Sequence, residues 1–356
     1  MPATVVAERP PSLQPRLAAL LAAADGAAVR WCVLRGTGEL AAPGGEADLL
    51  VHRADRARLT RALATAGAAA LTAPGRGTHR FHLAYNPAHD AWLRLDVVTE
   101  LQFGPAQELR TSTAAAVLAR RRRHGPIAVP APEDAFWALL LHELLDRPAL
   151  REAGRARGEL AALSRAATGD SPLRAIVDAA CPPRWSAERV RRVAATGDLH
   201  ALEALREPLI AGWPGSPAGR RALAGRARVL RRLHRWSPVT GTPGVILAVT
   251  GGDGASRAAA AAAIAAAWPA PARVVHAGGA RGAAAARIVR GSGRLAVLER
   301  DGMAGVGADA VLDLATAGDP DAARRSAIDR AWRRAAARRG HSTEAITSYS
   351  LSSSTG

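Results

Sequence analysis

The chain has no lysine. All 48 of its basic residues are arginines, set against 31 acidic residues for a formal net charge of +17. That absence excludes a Schiff-base lysine, a lysine general base and the lysine of a phosphate-binding P-loop. Cysteine is nearly absent too: Cys32 and Cys181 lie far apart, which excludes a cysteine-based zinc site and a disulfide framework and fits a reducing compartment. Aromatic residues make up 4 % of the chain, too few for a platform that stacks single-stranded bases. Long apolar runs are missing: the alanine-rich stretch Ala258–Trp268 is only about half the length of a membrane span and reads as a buried helix. The stretch Met1–Pro15 carries Glu8, Arg9 and several prolines, with no apolar core behind a basic leader. A cytoplasmic protein without a membrane span is the expectation.

What is abundant explains part of what is lacking. Alanine, glycine, proline and arginine together read as the codon bias of a GC-rich genome, so much of the positive charge is background. The clusters Arg120-Arg121-Arg122-Arg123-His124 and Arg220–Arg235 are cationic enough to meet RNA, acidic lipid or an acidic protein partner. Arginine bias on solvated faces accounts for most of that charge more simply.

A length of 356 residues calls for about two or three domains. Leu13, Leu17, Leu20 and Leu21 have helical spacing. Val29–Leu34 and Ala47–Val51 read as strands, Asp55–Gly67 as an amphipathic helix, and Arg80–Tyr85 and Trp92–Val98 as two further strands around the turn-like Asn86-Pro87. This defines a small mixed-sheet α/β unit over residues 1–106. Residues 107–237 read as mostly helical, with helices over Glu133–Leu145, Arg151–Ala167, Ser186–Ala195 and the arginine-rich Gly219–Trp236. After the linker Pro238–Pro243, a strand at Gly244–Val249 opens a third, reduced α/β unit over 238–341. The Ser/Thr-rich end, 342–356, is expected to be a disordered tail.

The first candidate site is a set of carboxylates. Residues two apart on a strand share a face, so Glu46 and Asp48 present two carboxylates side by side. Such a pair calls for a counter-ion, and Mg²⁺ with oxygen ligands and substrate phosphates is the usual one. Asp96, in Leu93–Val97, lies on a later strand able to run alongside. Two metal ions on three carboxylates would stabilise an in-line displacement at a nucleotide α-phosphate, and the turn at Gly36-Thr37 offers N–H groups and a hydroxyl to the phosphate tail. The run Val33-Leu34-Arg35-Gly36-Thr37, then Gly45-Glu46-Ala47-Asp48-Leu49-Leu50-Val51, then Leu95-Asp96 resembles the polymerase-β-like nucleotidyltransferase fold. Leu141-His142-Glu143 in the helical stretch is similar to the helical part of uncharacterised bacterial nucleotidyltransferases. Thr37 replaces the usual serine, and the loop to Glu46 is slightly short and lacks a basic residue many members carry. The resemblance spans about residues 25–165. It implies nucleoside triphosphate as substrate, Mg²⁺ on Glu46, Asp48 and Asp96, and Asp96 favouring deprotonation of a hydroxyl acceptor.

The second candidate is a degenerate P-loop. Gly244–Val249 leads into Thr250-Gly-Gly-Asp-Gly-Ala-Ser-Arg-Ala258 and an alanine-rich helix. Gly251, Asp253 and Gly254 resemble the Gly-x-Asp-Gly-x-Gly-Lys-Ser/Thr loop of thymidylate kinase-like proteins, and Glu299-Arg300 resembles their acidic-arginine pair. Ser256 stands where the last glycine belongs, Arg257 where the lysine belongs and Ala258 where the metal-binding hydroxyl belongs. Codon bias accounts for Arg257 but not for Ala258, so a kinase relic with a structural or binding role is the expectation. His142-Glu143 is not a zinc-protease motif, because Asp146 occupies the place of its second histidine, and His142 is expected to pack in an apolar helix. Three functions follow: nucleotidyl transfer to a small-molecule or peptide hydroxyl, a small-molecule kinase acting through the third unit, or a non-catalytic pseudoenzyme scaffold in a biosynthetic assembly.

Overall fold

The computed structural model describes residues 12–35, 37–71, 73–147, 154–236, 243–269, 272–276, 279–299 and 307–351. It is a mixed α/β protein. The chain enters through α1 (Pro15–Gly26), where the Gln14 side chain accepts from the Arg16 N–H at 3.0 Å and Pro15 opens the first turn. Leu17, Leu20, Leu21 and Ala24 form its buried stripe.

Then follow β1 (Trp31–Arg35), β2 (Gly45–Val51), α2 (Arg56–Thr65), β3 (Ala68–Leu71), β4 (Arg80–Asn86) and β5 (Ala91–Val98). The strands form one five-stranded mixed sheet in the order β1-β2-β5-β4-β3. β2 and β5 run parallel at its centre, with antiparallel partners on either side. The strand β3, Ala-Ala-Ala-Leu, is absent from the sequence reading because alanine carries helical rather than strand preference. On β4, His82 is buried, and burial pushes its imidazole down to about 4, from an ordinary value of about 6.5. As pH falls through that interval the unfolded chain takes up a proton that the folded chain refuses, which costs about 3 kcal/mol of stability. Denaturant titrations at about pH 7 and about pH 4.5 are expected to show a shallower pH dependence for His82→Gln than for the parent.

The middle region carries two short ribbons that the helical reading did not anticipate, β6 (Gln102–Phe103) with β7 (Leu109–Arg110) and, after α3 (Ala114–Ala119), β8 (Arg122–His124) with β9 (Ile127–Val129). The rest is helical: α4 (Pro132–Leu145), α5 (Gly154–Ala166), α6 (Pro172–Ala180), α7 (Ala187–Thr196), α8 (Leu199–Glu203), α9 (Arg206–Gly212) and α10 (Pro217–Trp236). α4 is buried along most of its length and packs against β1, α5 and α6. Its core is continuous with that of α1, β1, β2 and β5, so the first two regions share one hydrophobic interior.

The C-terminal region contains β10 (Val245–Thr250), α11 (Gly254–Ala267), β11 (Ala272–His276), α12 (Gly279–Gly291), β12 (Leu295–Glu299), β13 (Ala310–Asp313) and α13 (Pro320–Leu351). Its four strands are all parallel, in the order β11-β12-β10-β13. Alternate residues of β10 face opposite layers. Val245, Leu247 and Val249 meet α11 and α13, whereas Ile246 and Ala248 meet α12. α11 is not the buried helix expected over Ala258–Trp268: only Ala261 and Ile264 are buried along it, because one face lies on the sheet and the other in water. α13 continues through residues 342–351 as helix, where composition suggested a disordered tail; residues 352–356 lie outside the described residues.

Residues 238–242 of the expected linker lie outside the described residues; beyond them the chain packs tightly against the first sheet. Ala69, Leu83 and Tyr85 of the five-stranded sheet belong to the same buried cluster as β10, α11 and α13. Trp92 meets the rings of Tyr85, Trp268 and Trp332 at 4.9, 5.6 and 4.8 Å between centroids. The Trp332 indole N–H donates to the Leu83 carbonyl at 2.8 Å. No helix among the described residues is long and apolar enough to cross a membrane.

Candidate functional site

Register brings the carboxylates together. Asp48 lies opposite Asp96 across the parallel β2–β5 pair, and Glu46 lies opposite Arg94. Paired residues of neighbouring strands point to one face, as do residues two apart on each strand. Glu46, Asp48 and Asp96 each offer a carboxylate oxygen, and these oxygens all lie within 4.8 Å of one another. The spacing of Glu46 and Asp48 was legible in the sequence, and Asp96 does lie alongside them. The donor set is all oxygen, the kind that Mg²⁺ takes.

Each carboxylate also has a nitrogen-bearing neighbour, an arginine or a histidine, which the sequence alone does not assign. Arg94 bonds Glu46, Arg35 bonds Asp48, and the His79 Nδ1 sits 2.8 and 2.9 Å from the two oxygens of Asp96. Arg35 reaches Asp48 because the β1–β2 register slips between Val33 and Arg35, a bulge of the kind that re-aims side chains beside sites. The cluster sets three carboxylates against two guanidiniums and one imidazole. The Glu46 and Arg94 side chains are 37 % and 50 % exposed, so this pair contributes little and yields readily to a competing cation. Asp96 is buried, so its charge is the one that water screens least.

Two cavities flank this cluster and share Leu34, Arg35 and Leu139. The larger, about 630 Å³, is lined by Thr37 and Gly38 from the turn after β1 and by Pro132, Ala135 and Leu139 of α4. Gly36 lies outside the described residues. The smaller, about 280 Å³, is lined by Asp96, His79, Arg76, His142 and Asp146 among others. His142 is therefore not a packing residue. It lies four residues before Asp146 on α4, its Nδ1 bonds the Asp146 carboxylate at 2.7 Å, and both side chains line the cavity. An i, i+4 His–Asp pair was visible in the sequence, but an apolar helix with only one wetted edge hid its direction.

The glycine turn after β10 is built differently. Asp253 caps α11 by accepting from the Ser256 N–H at 2.7 Å, which holds its carboxyl below the usual range. The Arg257 guanidinium turns back to donate to the Gly252 carbonyl at 2.8 Å. Gly251 adopts φ +72° with its backbone pressed against Asp313 and Ala315, Gly254 begins α11, and Ala258 is exposed. Glu299 ends β12 opposite Val249, and Arg300 lies outside the described residues. Nothing among the described residues gathers carboxylates here as in the first site.

Much of the arginine charge is satisfied internally. Arg120 meets Asp134 at 3.0 Å and Glu133 at 3.6 Å, and Arg123 bonds Asp25 at 2.9 Å while lying over the Trp31 ring. On α10, Arg220 donates to the carbonyls of Trp213 and Gly215, and Arg231 donates to those of Gly75 and Pro105. No protein-family model matches the chain, and neither a curated protein nor a solved structure matches it.

Proposed function

We propose that the chain is a nucleotidyltransferase-like protein that transfers a nucleotidyl group to a hydroxyl of a small molecule in the presence of Mg²⁺. The observation that carries this reading is the meeting of Glu46, Asp48 and Asp96 on one sheet face, next to a cavity lined by Thr37. In this reading residues 1–106 are a nucleotidyltransferase-like unit and 238–341 a degenerate kinase-like P-loop unit that buttresses it. Glu46, Asp48 and Asp96 would hold the metal, which when bound neutralises charge developing on the α-phosphate. Thr37 holds the triphosphate at the larger cavity. Asp96, on the wall of the smaller cavity, draws on the proton of the acceptor hydroxyl, whose oxygen then bonds phosphorus as pyrophosphate leaves.

The kinase alternative has weaker support, since Arg257 is turned onto loop carbonyls and Ala258 supplies no metal ligand. Labelled triphosphates separate the readings. Incubation with Mg²⁺ and a panel of small hydroxyl compounds is expected to release pyrophosphate and to move α-label onto an acceptor. Transfer of γ-label that is lost in Arg257→Ala and kept in Glu46→Gln would assign the chemistry to the C-terminal unit. Absence of any Mg²⁺–nucleotide binding by calorimetry would leave the scaffold reading.

A further inference from the structure

The smaller cavity has an uneven charge inventory. Its acids are already engaged: Asp96 by His79, Asp146 by His142 and by the Gly104 N–H at 2.6 Å, and Glu100 by the Thr111 hydroxyl and the N–H groups of Leu101, Thr113 and Ala114. Its Arg35 is bonded to Asp48. Arg76 is exposed and lines the same cavity, yet its guanidinium has no hydrogen-bond or ion-pair partner among the described residues. The one charged group of this lining left without a hydrogen-bond or ion-pair partner among the described residues is therefore a cation.

The chain also invests backbone in placing this one side chain. Arg76 stands between Gly75 at φ +75° and Gly77 at φ +57°, conformations that any other residue adopts at a cost. A Cβ on Gly77 would strike the Gln102 side chain, which accepts from the Thr78 N–H at 3.1 Å. Arg231 of α10 fastens the turn from outside through the Gly75 carbonyl at 2.8 Å, and also bonds the Gln107 side chain at 2.7 Å. Gln107 itself lies at φ +54° on the cavity wall, a strained position of the kind that collects at binding sites. Burial and the charge of Arg76 hold Arg231 below its ordinary range. The two cations thus repel each other, and an anion bound to Arg76 on its cavity side eases that repulsion.

We propose that this cavity takes the acceptor through an anionic group, a phosphate or carboxylate carried by a small hydroxyl compound, with Arg76 as its anchor. That the anion belongs to an acceptor rests on the nucleotidyl-transfer reading; the anion site itself rests on Arg76 and the cavity. A guanidinium pairs with either group through two parallel N–H donors, and a volume of about 280 Å³ suits a small polar molecule rather than a polymer.

Calorimetry on the full chain without Mg²⁺ or nucleotide tests the site directly, using glycerol 3-phosphate and glycerate as anionic probes and glycerol as the neutral control. Both anions, or one of them, are expected to bind while glycerol does not, and Arg76→Gln is expected to weaken binding about 10-fold or more. Arg76 is exposed, so an unchanged melting curve will show that the variant is folded. A preference between the anions names the group. Equal binding to parent and variant, binding of glycerol as tight as that of the anions, or no binding of either anion overturns the proposal. With metal and nucleotide left out, a negative result falls on the anion site and leaves the carboxylate site to its own tests.

Discussion

If the proposed reading holds, Asp96→Asn is expected to lower nucleotidyl transfer by about 100-fold or more while the protein stays folded, the scale seen when one group that stabilises transition-state charge is removed. The substitution keeps the size of the side chain and an oxygen for the His79 Nδ1, so the β4–β5 packing is undisturbed. What it removes is the least exposed negative charge of the three, on the residue that lies both in the carboxylate cluster and on the wall of the smaller cavity. A fall in kcat, with nucleotide affinity falling less, is the outcome expected of a group acting at the reacting atoms. Full activity in Asp96→Asn would move the chemistry elsewhere in the chain.

Trp332→Ala is the substitution expected to cost the fold most, about 3–5 kcal/mol. Trp332 is fully buried in α13, between the rings of Trp92 and Trp268, and its N–H satisfies the Leu83 carbonyl of β4. The variant opens a large cavity and removes a buried hydrogen bond to the Leu83 carbonyl. That loss is a large share of the roughly 5–15 kcal/mol that keeps a typical domain folded. Because the cluster spans β4, β5 and the C-terminal helices, the five-stranded sheet is expected to loosen together with the C-terminal sheet. Hydrogen exchange in Trp332→Ala should therefore rise in residues 80–98 as well as in 245–250, and Trp332→Phe should recover part of the loss. Exchange confined to the C-terminal strands would mean that the two sheets are energetically separate.

This shared core bears on what the C-terminal unit does. Helix α13 covers β3 and β4 and packs on α2, so the C-terminal region packs onto the sheet that carries the carboxylates. Cutting the chain near residue 237 would expose Leu83, Tyr85 and Trp92 to water.

The legible parts of this architecture are those written in local patterns. Alternation in Trp92–Val98 and the apolar run Val245–Val249 mark strands, and the i, i+2 carboxylates of β2 declare their common face. Asp96 was legible because its strand is unmistakable, although its exact register against Asp48 was not. The basic residues around the carboxylates are hidden in the sequence for physical reasons. Arg35 depends on a bulge, which shifts pairing without leaving a signature in composition. His79 reaches Asp96 from the end of a loop, and Arg76 is one arginine among 48. Its meaning lies in lacking a partner, which only the folded chain reveals. The same abundance concealed the opposite fact for Arg120 and Arg231, which are held by acids and carbonyls.

In the proposed reading Glu46, Asp48 and Asp96 form a divalent-metal site that works with a nucleotide. Manganese binding followed by electron paramagnetic resonance, on the full chain with a non-hydrolysable nucleoside triphosphate, addresses it most directly. Mn²⁺ is expected to be held by the parent in the presence of nucleotide and to be released in Asp48→Asn and in Asp96→Asn, each folded by its melting curve. Mn²⁺ bound equally by the parent and both variants, or not held by the parent at all, would contradict the account.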